Sequence, residues 1–559
     1  MNNLEILKLD RALWNAYIDR EDLETAIKCY NTYINNLKNY KDDIISANNE
    51  INLSAQLFQI KMNILAEKYL KEKNYQKALI AVSAAFKNNS SDIRCVKNYI
   101  VCLQELKQGD LEVSLLKHLE AISNNDINNY PTIALNYENK GLYKEALELM
   151  KKYMELKSET CIKTEDYVFL GHFYNKFYEN VSHKYSDLQN SVKFFAKAAF
   201  LAPEINLYAR NTIMLATKSR DFETAYKCWD SLKKYNQINA DDEFEYSKLC
   251  LKSQDFAGWH KYYDTRFTRQ QNPIRMPEFK KGKWNGITDL SNSVLLVYCD
   301  NGYGFGDTFL IWGYMHRIAK IAKKVIFITQ NEIYDLLKNN EYGIDVFSKT
   351  KVNLDNLNYD FYLPAMSIPA VLNLDKSNIS VGSGFIKPDL NLVKEFKEKY
   401  FNNDKFKIGI SFSGNNINNN KTRDIPVKDF KLLDDLDNIQ IYNLTKEVNI
   451  EEFEILKNNK IINAVKDVEN FAQTAAIIAN CDTILTSDNC ILNLAGAIGI
   501  KTFGIFNYVN DARWFDLTGN DVVWYKSVKP FVCKDMDDWQ SALLPAVNEI
   551  KQFIKMREV

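Results

Sequence analysis

The chain has 559 residues and a formal net charge of −1, from 71 basic and 72 acidic residues. This length predicts two to four domains, and the balanced charge gives no reason to expect nucleic acid or an anionic membrane as a partner. The N-terminus lacks a signal-peptide pattern, and no apolar run reaches the ~20 residues of a membrane-spanning helix. The ten cysteines are scattered without metal or redox spacing. We therefore expect a cytoplasmic protein with reduced cysteines and no membrane span.

Residues 1–269 combine helical periodicity with an internal repeat. Apolar residues recur at helical spacing, and glycine and proline are rare. One position of the repeat is occupied in turn by Ala78, Ala146, Ser191, Ala225 and Trp259. The steps between them are 68, 45, 34 and 34 residues, and 34 residues is the tetratricopeptide period. The pattern predicts a tetratricopeptide-like helical solenoid over 1–269, with an insertion near Asn180.

Two interpretations of the predicted repeats are open. Helical solenoids bind a polypeptide or another subunit on their concave face, so the repeats would recruit a protein partner or mediate homo-oligomerisation. Alternatively, the helices only pack against the neighbouring domain. Exposed tyrosine and asparagine side chains suit peptide binding, but the sequence does not separate them from ordinary surface residues.

Beyond a linker at 270–292, β-branched or aromatic runs alternate with helical segments, which is typical of parallel sheets built from βαβ units. The predicted strands are Val294–Cys299, Val325–Thr329, Asp360–Leu363, Ile408–Phe412, Ile439–Leu444, Thr483–Thr486 and Thr502–Phe506. A polar stretch divides this half. We predict a first Rossmann-like domain at 293–395, a second at 396–535 and a C-terminal helix at 536–559. Ligands bind such sheets at the carboxyl ends of their strands.

The first of these strands leads into a glycine-rich turn, Gly302-Tyr303-Gly304-Phe305-Gly306-Asp307-Thr308. This is not the dinucleotide-binding fingerprint, because Asp307 stands where a third glycine is needed. Asp307 is expected at the start of a helix over Thr308–Ala322, where a carboxylate is suited to take a proton from an acceptor hydroxyl. The alternative is that Asp307 only caps this helix. The glycines would let a ligand approach the backbone closely, and Gly304, Gly306 and Thr308 are the predicted residues of this acceptor-side glycine-rich turn.

A second polar turn, Ser413-Gly414-Asn415, follows the predicted strand Ile408–Phe412. Its backbone N–H groups and hydroxyl suit a phosphate. Arg423, further along the same loop, is a candidate for bidentate contact with a diphosphate. The alternative for Arg423 is a solvated basic loop residue.

A third turn follows the predicted strand Thr483–Thr486 and contains Asp488. Its carboxylate is suited to accept hydrogen bonds from ribose hydroxyls, with the next N–H groups facing phosphate. The alternative is a helix N-cap by Ser487 or Asp488. We expect a cleft between the two Rossmann-like domains, and Arg513, after the strand Thr502–Phe506, is expected to close it. The residues predicted to bind a nucleotide-containing ligand are Ser413, Gly414, Asn415, Arg423, Thr445, Ser487, Asp488, Asn489, Cys490 and Asn493.

With these residues in place, the chain resembles the bacterial tetratricopeptide-repeat glycosyltransferases, which are related to the heptosyltransferase group and more distantly to O-GlcNAc transferase. Five blocks match in order. They are Gly258-Trp259 through Arg266, Trp284-Asn285-Gly286, Gly304 through Thr308, Ser413-Gly414-Asn415 with Arg423-Asp424-Ile425-Pro426, and Asp488 through Ala497 with Arg513-Trp514.

The resemblance implies a GT-B fold and a nucleotide-sugar donor held mainly by the second Rossmann-like domain. It also implies no metal or other cofactor, and an inverting transfer with Asp307 as the base. The sequence departs from the family at Asn493, where the family has histidine. It also departs at Gly302-Tyr303, in place of an acidic residue and glutamine, and at Leu310, in place of a polar residue. These departures bear on the identity of the sugar.

The predicted function is therefore that of a glycosyltransferase. It would move a sugar from a nucleotide-sugar to a Ser or Thr hydroxyl of a protein of the flagellin or adhesin type, recruited by the repeats. One alternative is an enzyme that extends a glycan or lipid-linked glycan. The other alternative is a catalytically inactive scaffold with the same fold.

Overall fold

The computed structural model describes residues 3–40, 44–123, 126–235, 238–414, 421–515, 517 and 523–558. The chain divides into two compact units, one running to Val181 and the other beginning at Ser182. The last helices of the repeat region therefore belong to the same unit as the sheets. The domain limits expected from the sequence remain predictions.

The first unit consists of helices. They are α1 (Asn3–Asp19), α2 (Leu23–Lys38), α3 (Ile44–Lys71), α4 (Tyr75–Asn88), α5 (Ile93–Glu105), α6 (Gly109–Ile122), α7 (Tyr130–Asn139), α8 (Tyr143–Leu156) and α9 (Thr164–Phe177). Sequence neighbours such as α3 and α4, or α7 and α8, pack together. Helix α4 begins after Asn74, whose side chain accepts a hydrogen bond from the Lys77 N–H. The repeat positions Ala78 and Ala146 are fully buried, so each allows two helices to approach closely.

The second unit begins with five further helices, α10 (Tyr185–Leu201), α11 (Asn206–Ser219), α12 (Phe222–Lys234), α13 (Ala240–Lys252) and α14 (Phe256–Tyr262). Helices α12 and α14 begin after the N-caps Asp221 and Asp255. The repeat positions Ser191, Ala225 and Trp259 are all buried. The 34-residue spacing thus corresponds to equivalent buried positions on successive helix pairs.

A four-stranded parallel sheet follows. Its strands are β1 (Val294–Tyr298), β2 (Lys324–Thr329), β3 (Asp345–Ser348) and β4 (Phe361–Pro364), and its helices are α15 (Phe305–Ile321), α16 (Asn331–Leu337) and α17 (Ile368–Val371). The strand order is β3-β2-β1-β4. The near-continuous apolar strands reflect burial on both faces of a parallel sheet. The sequence did not predict β3, which is short and only half-buried at alternate residues.

A six-stranded parallel sheet completes the second unit. Its strands are β5 (Phe406–Ser411), β6 (Ile439–Asn443), β7 (Ile462–Asn463), β8 (Thr483–Ser487), β9 (Thr502–Phe506) and β10 (Val528–Val532). Its helices are α18 (Leu390–Tyr400), α19 (Ile450–Asn458), α20 (Phe471–Ala479), α21 (Cys490–Ile498) and α22 (Trp539–Glu558). The strand order is β10-β9-β8-β5-β6-β7. The predicted fold class, helical repeats followed by a GT-B pair of Rossmann-like domains, is confirmed.

Two strands of this sheet were not predicted. Strand β10 contains Pro530, which argues against a central strand, but β10 lies at the edge of the sheet, where proline is tolerated. Strand β7 has only two residues. Among the residues that the structure describes, no helix combines the length and the apolar character needed to cross a membrane.

Candidate functional site

The turn after β1 and the turn after β8 lead into helices that pack directly on each other, α15 and α21. Gly306, in the first turn of α15, lies against α21. A Cβ atom at Gly306 would come within 2.8 Å of the Asn493 amide nitrogen. A side chain at position 306 would therefore require Asn493 to shift, so the two helix starts approach each other closely. The two strand–turn–helix elements that the sequence singled out face each other at the carboxyl edges of the two sheets.

Asp307 is buried in the first turn of α15 and has partners for both carboxylate oxygens. The helix begins at Phe305, three residues before the predicted start, so Asp307 lies inside it. Its Oδ2 accepts a hydrogen bond from the Gly304 N–H at 2.9 Å. Its Oδ1 accepts a hydrogen bond from the guanidinium of Arg513. Asp307 therefore does cap the helix, but it also carries an ion pair that capping does not require.

Burial raises the pKa of Asp307, and the nearby guanidinium of Arg513 opposes this rise. Arg513 itself reaches Asp307 from the segment after β9, so this ion pair joins the two Rossmann-like domains. Its Nε also donates to Asp511 Oδ1 at 3.1 Å. Burial disfavours the charged form of Arg513, but the surrounding carboxylates outweigh it and raise its pKa.

Asp488 is equally buried but is only partly satisfied. Its Oδ1 accepts a hydrogen bond from Trp514 Nε1 at 2.8 Å. Its Oδ2 has no hydrogen-bond partner among the described residues, and the nearest guanidinium, that of Arg423, lies 3.9 Å away. Burial raises the pKa of Asp488, whereas Arg423 and Arg513 lower it. Among the described residues, this buried oxygen next to the start of α21 is thus without a hydrogen-bond donor.

Asn489 connects the ends of the two neighbouring strands β5 and β8. Its Oδ1 accepts a hydrogen bond from the Ile491 N–H at 2.8 Å, so it caps α21. The alternative N-cap, Ser487 or Asp488, is therefore wrong. The Nδ2 of Asn489 donates to Ser411 Oγ at 3.0 Å and to Ser487 Oγ at 3.1 Å. Asn489 therefore links the ends of β5 and β8. Because Asn489 caps α21, Asp488 does not have this role.

The turn after β5 is held by its own contacts. The Gly414 N–H, predicted to face a phosphate, donates to Asp424 Oδ1 at 3.2 Å. The Ser413 carbonyl accepts a hydrogen bond from Asn489 Nδ2 at 3.3 Å. Thr445 Oγ1 accepts a hydrogen bond from the Phe412 N–H at 3.1 Å, which fixes Thr445 to the end of β5. Asn415, the remaining predicted residue of this turn, lies outside the described residues.

Two other predicted residues, Asn493 and Thr308, are turned toward structural partners. Asn493 Nδ2 donates to the Asn489 carbonyl at 3.0 Å, and its Oδ1 accepts a hydrogen bond from the Tyr525 hydroxyl at 3.0 Å. Both ends of this amide are therefore engaged. Thr308 is buried and donates to Gln330 Oε1 at 3.0 Å. Cys490 is half-buried, and burial raises the pKa of its thiol to about 11.

The structure thus brings together Asp307, Asp488, Arg423 and Arg513 at the edges of the two sheets. Trp514 was predicted only as part of a matching block, and its contact with Asp488 depends on the fold. Within the described ranges, no three or more histidine, cysteine, aspartate or glutamate side chains are grouped so as to hold a metal ion. Two carboxylates, two guanidiniums and a helix N-terminus are groups that bind hydroxyls and phosphates.

No protein-family model matches the chain, and no curated protein matches it in sequence. Among solved structures, the ADP-heptose LPS heptosyltransferase II of E. coli is 11% identical and covers 47% of this chain and 99% of its own, with a TM-score of 0.37. The glycosyl transferase family 9 protein from Veillonella parvula is 12% identical, covering 47% and 91%, with a TM-score of 0.34. MamA from Desulfovibrio magneticus RS-1 is 15% identical, covering 33% and 95%, with a TM-score of 0.26. Similarities of this degree say nothing about the reaction or its substrates.

Proposed function

We propose that the chain is a glycosyltransferase that moves a sugar from a nucleotide-sugar to a hydroxyl acceptor, with inversion and without a metal. One observation carries the proposal. Asp488 keeps a buried carboxylate oxygen without a hydrogen-bond partner among the described residues, beside Arg423 and the N-terminus of α21. A buried acceptor left open is costly unless a ligand completes it. A ribose hydroxyl as donor, with the diphosphate at Arg423 and the helix start, fits that chemistry.

The proposed reaction uses Asp307 as the general base. The acceptor oxygen forms a bond to the anomeric carbon while the bond from that carbon to the diphosphate oxygen breaks. The hydroxyl proton passes to Asp307, and the electron pair of the broken bond leaves with the nucleoside diphosphate. Arg423 and the α21 N-terminus would stabilise the charge that develops on this leaving group.

In the structure Arg513 donates to Asp307 Oδ1 and the Gly304 N–H donates to Oδ2, so an acceptor hydroxyl would compete with these donors for the carboxylate. The diphosphate of a donor supplies a competing negative charge. We therefore expect the donor to bind first and to draw Arg513 away from Asp307. The acceptor we propose is a Ser or Thr hydroxyl of a protein, because helical repeats of this period bind polypeptides.

A catalytically inactive scaffold is the second candidate, and one observation favours it. The amide of Asn493, which stands where the resembling family has histidine, is held at both ends by Asn489 and Tyr525. In the inactive protein, Asp307 and Arg513 would serve only to join the two domains.

Thermal unfolding of the full-length chain with UDP-, GDP-, ADP- and CMP-sugars separates the two candidates. A ligand at 100 times its dissociation constant stabilises the native state by about 2.7 kcal/mol. We expect at least one of these nucleotide-sugars to raise the melting temperature, and Asp488→Asn to remove most of the rise. Asp437→Asn, at an exposed position, is the matched control and should behave as wild type. If no nucleotide-sugar raises the melting temperature, the transferase proposal fails.

A further inference from the structure

The last helices of the repeat region contact both of the loops that form the candidate site. One is the loop after β9, here called the arginine loop, residues 508–515, which contains Arg513. The other is the glycine loop, residues 300–304, which follows β1 and leads into Asp307. Both sets of contacts lie within the second compact unit.

Lys252, the last residue of α13, holds the arginine loop. Its side chain is 2% exposed, and its Nζ donates to both the backbone oxygen and the Oδ1 of Asn510 at 2.8 Å. A buried ammonium group requires such acceptors, because burying it without them is costly. Asp511, which accepts a hydrogen bond from Arg513, is the next residue along the chain. Lys252 thus fixes the loop just before the residues that face Asp307.

A second contact supports the same loop from α11 and α10. The Nη2 of Arg220 donates to the Tyr508 carbonyl at 3.1 Å, and its guanidinium lies over the Tyr508 ring at 4.5 Å. The ring of Tyr185 is 4.6 Å from that of Tyr508. The start of the arginine loop is therefore clamped between helices and does not depend on Lys252 alone.

The glycine loop is held by residues just after α14. Arg266 is fully buried and donates through Nη2 and Nε to Asp300 Oδ2, at 2.6 and 3.0 Å. The hydroxyls of Tyr263 and Tyr303 are 2.6 Å apart. The loop is therefore tied at both its first residue and its tip to the end of the helical repeats.

We propose that Lys252 and Arg266 are positioning residues, through which helices α10–α14 set the arginine loop and the glycine loop opposite each other. This inference rests on the proposed function for its catalytic consequence. Misplacement of a reacting group by a fraction of its contact distance is enough to lower a rate strongly. These helices are thus part of the active site's support, in addition to any role of the repeats in recruiting an acceptor.

Hydrogen exchange in the full-length protein tests the positioning directly. Lys252→Met should accelerate amide exchange in residues 508–515 roughly tenfold, because a buried hydrogen-bonded charge is lost. Lys248→Met is the matched control on the same helix, since Lys248 is 41% exposed and pairs with Glu245, and its exchange pattern should equal that of wild type. Asn510→Ala removes one acceptor from the loop side and should act in the same direction, should Lys252→Met fail to fold.

The acidic limb of the pH–rate profile of Lys252→Met gives a second measurement. If Lys252 only stabilised the fold, its substitution would not shift the pH of this limb. The charged and titratable groups that interact electrostatically with Asp307 are Arg513, Asp511, Arg423, Tyr263, Tyr303 and Tyr525. Of these, Arg513 opposes the rise of the Asp307 pKa most strongly. Loosening the arginine loop should therefore move this limb of kcat/KM to higher pH, whereas simple loss of folded protein lowers the rate equally at every pH.

The possible results separate this inference from the proposed function. Unchanged exchange in residues 508–515 of both Lys252→Met and Asn510→Ala overturns the positioning role. Faster exchange in the loop supports that role whether or not the protein turns over. If wild type neither binds nor transfers a sugar, the proposed function is overturned on its own, and with it the catalytic consequence drawn here.

Discussion

Asp307 and Asp488 occupy similar positions, each after a strand of a different sheet, but their carboxylates have different hydrogen-bond partners. Each follows a parallel strand, lies at a helix start and is buried. Asp307 has both oxygens engaged, one by its own helix and one by Arg513. Asp488 has one oxygen bound by Trp514 and the other without a hydrogen-bond partner in the described part of the chain. Arg513 and Trp514, which are adjacent in the arginine loop, thus donate hydrogen bonds to Asp307 and Asp488 respectively.

The difference shows that a buried aspartate at a strand end is not by itself a ligand site. Both oxygens of Asp307 already accept a hydrogen bond, one of them from Arg513, so a ligand competes there with donors of the protein itself. Asn489 caps α21 in place of Asp488, and Asp488 Oδ2 has no hydrogen-bond partner among the described residues. We therefore propose that Asp307 acts as the general base and that Asp488 binds the nucleotide. The substitutions that follow test these two roles separately.

The largest effect is expected for Asp307→Asn. General base catalysis contributes about 10²- to 10⁴-fold to a rate, so transfer should fall by that factor while nucleotide-sugar binding is retained. Transfer rate and donor-induced thermal stabilisation are measured on the same preparation. Asp437→Asn, the same Asp-to-Asn change at an exposed position, is the control and should turn over as wild type. Turnover at the wild-type rate in Asp307→Asn would remove Asp307 from the mechanism.

Asp488→Asn should weaken nucleotide binding and stabilise the unliganded protein. A hydrogen bond to a charged group contributes about 1.5–3 kcal/mol, which corresponds to roughly a 10- to 150-fold loss of affinity, measured by titration calorimetry. The unliganded protein gains stability because a buried charge with an open oxygen is removed. Loss of affinity together with loss of stability would indicate a structural role for Asp488.

The stability gain of Asp488→Asn should also depend on pH. The pKa of Asp488 is raised in the folded state, so its contribution to stability is present below its unfolded pKa of about 3.9 and is lost as the pH rises through the folded value. The difference in melting temperature between variant and wild type should therefore widen from acid to neutral pH. A constant difference in melting temperature across that range would show that burial does not raise the pKa of Asp488.

The smallest effect is expected for Tyr303→Phe, which acts on the Asp307 side alone. It removes one hydroxyl–hydroxyl hydrogen bond to Tyr263, of about 0.5–1.5 kcal/mol. Transfer should fall by less than about tenfold, with donor affinity unchanged, in steady-state kinetics. Tyr334→Phe on α16 is the control. A loss of donor affinity in Tyr303→Phe would contradict the division of roles between the two aspartates.

The sequence predicted local features well and long-range partners poorly. Apolar runs such as Val294–Cys299 and Thr502–Phe506 predict strands because parallel strands are buried on both faces. The 34-residue spacing predicts helix pairs because its small residues lie at close helix contacts. By contrast, the predicted strands do not include β10, which contains Pro530, a residue that a strand tolerates at the edge of a sheet. Helix α15 begins at Phe305 because the Gly304 N–H is capped by Asp307, a contact that the spacing alone left undecided.

In the candidate site too, the individual residues could be predicted from the sequence, but their partners could not. Asp307, Asp488, Arg423 and Arg513 were identified from turns and from the family resemblance. However, the pairing of Arg513 with Asp307 spans 206 residues, and that of Lys252 with Asn510 spans 258. No local periodicity encodes such contacts. They arise only when the sheets and the helical repeats are packed.

The most direct test of sugar transfer is the intact mass of a candidate acceptor protein. The acceptor is incubated with the full-length chain and the nucleotide-sugar that stabilises it, in parallel with the Asp307→Asn variant. We predict a mass increase of one or more sugar residues with wild type and none with the variant. An unchanged acceptor mass with wild type, under conditions where the nucleotide-sugar binds, would contradict transfer to protein. Equal mass gain with both forms would contradict Asp307 as the base.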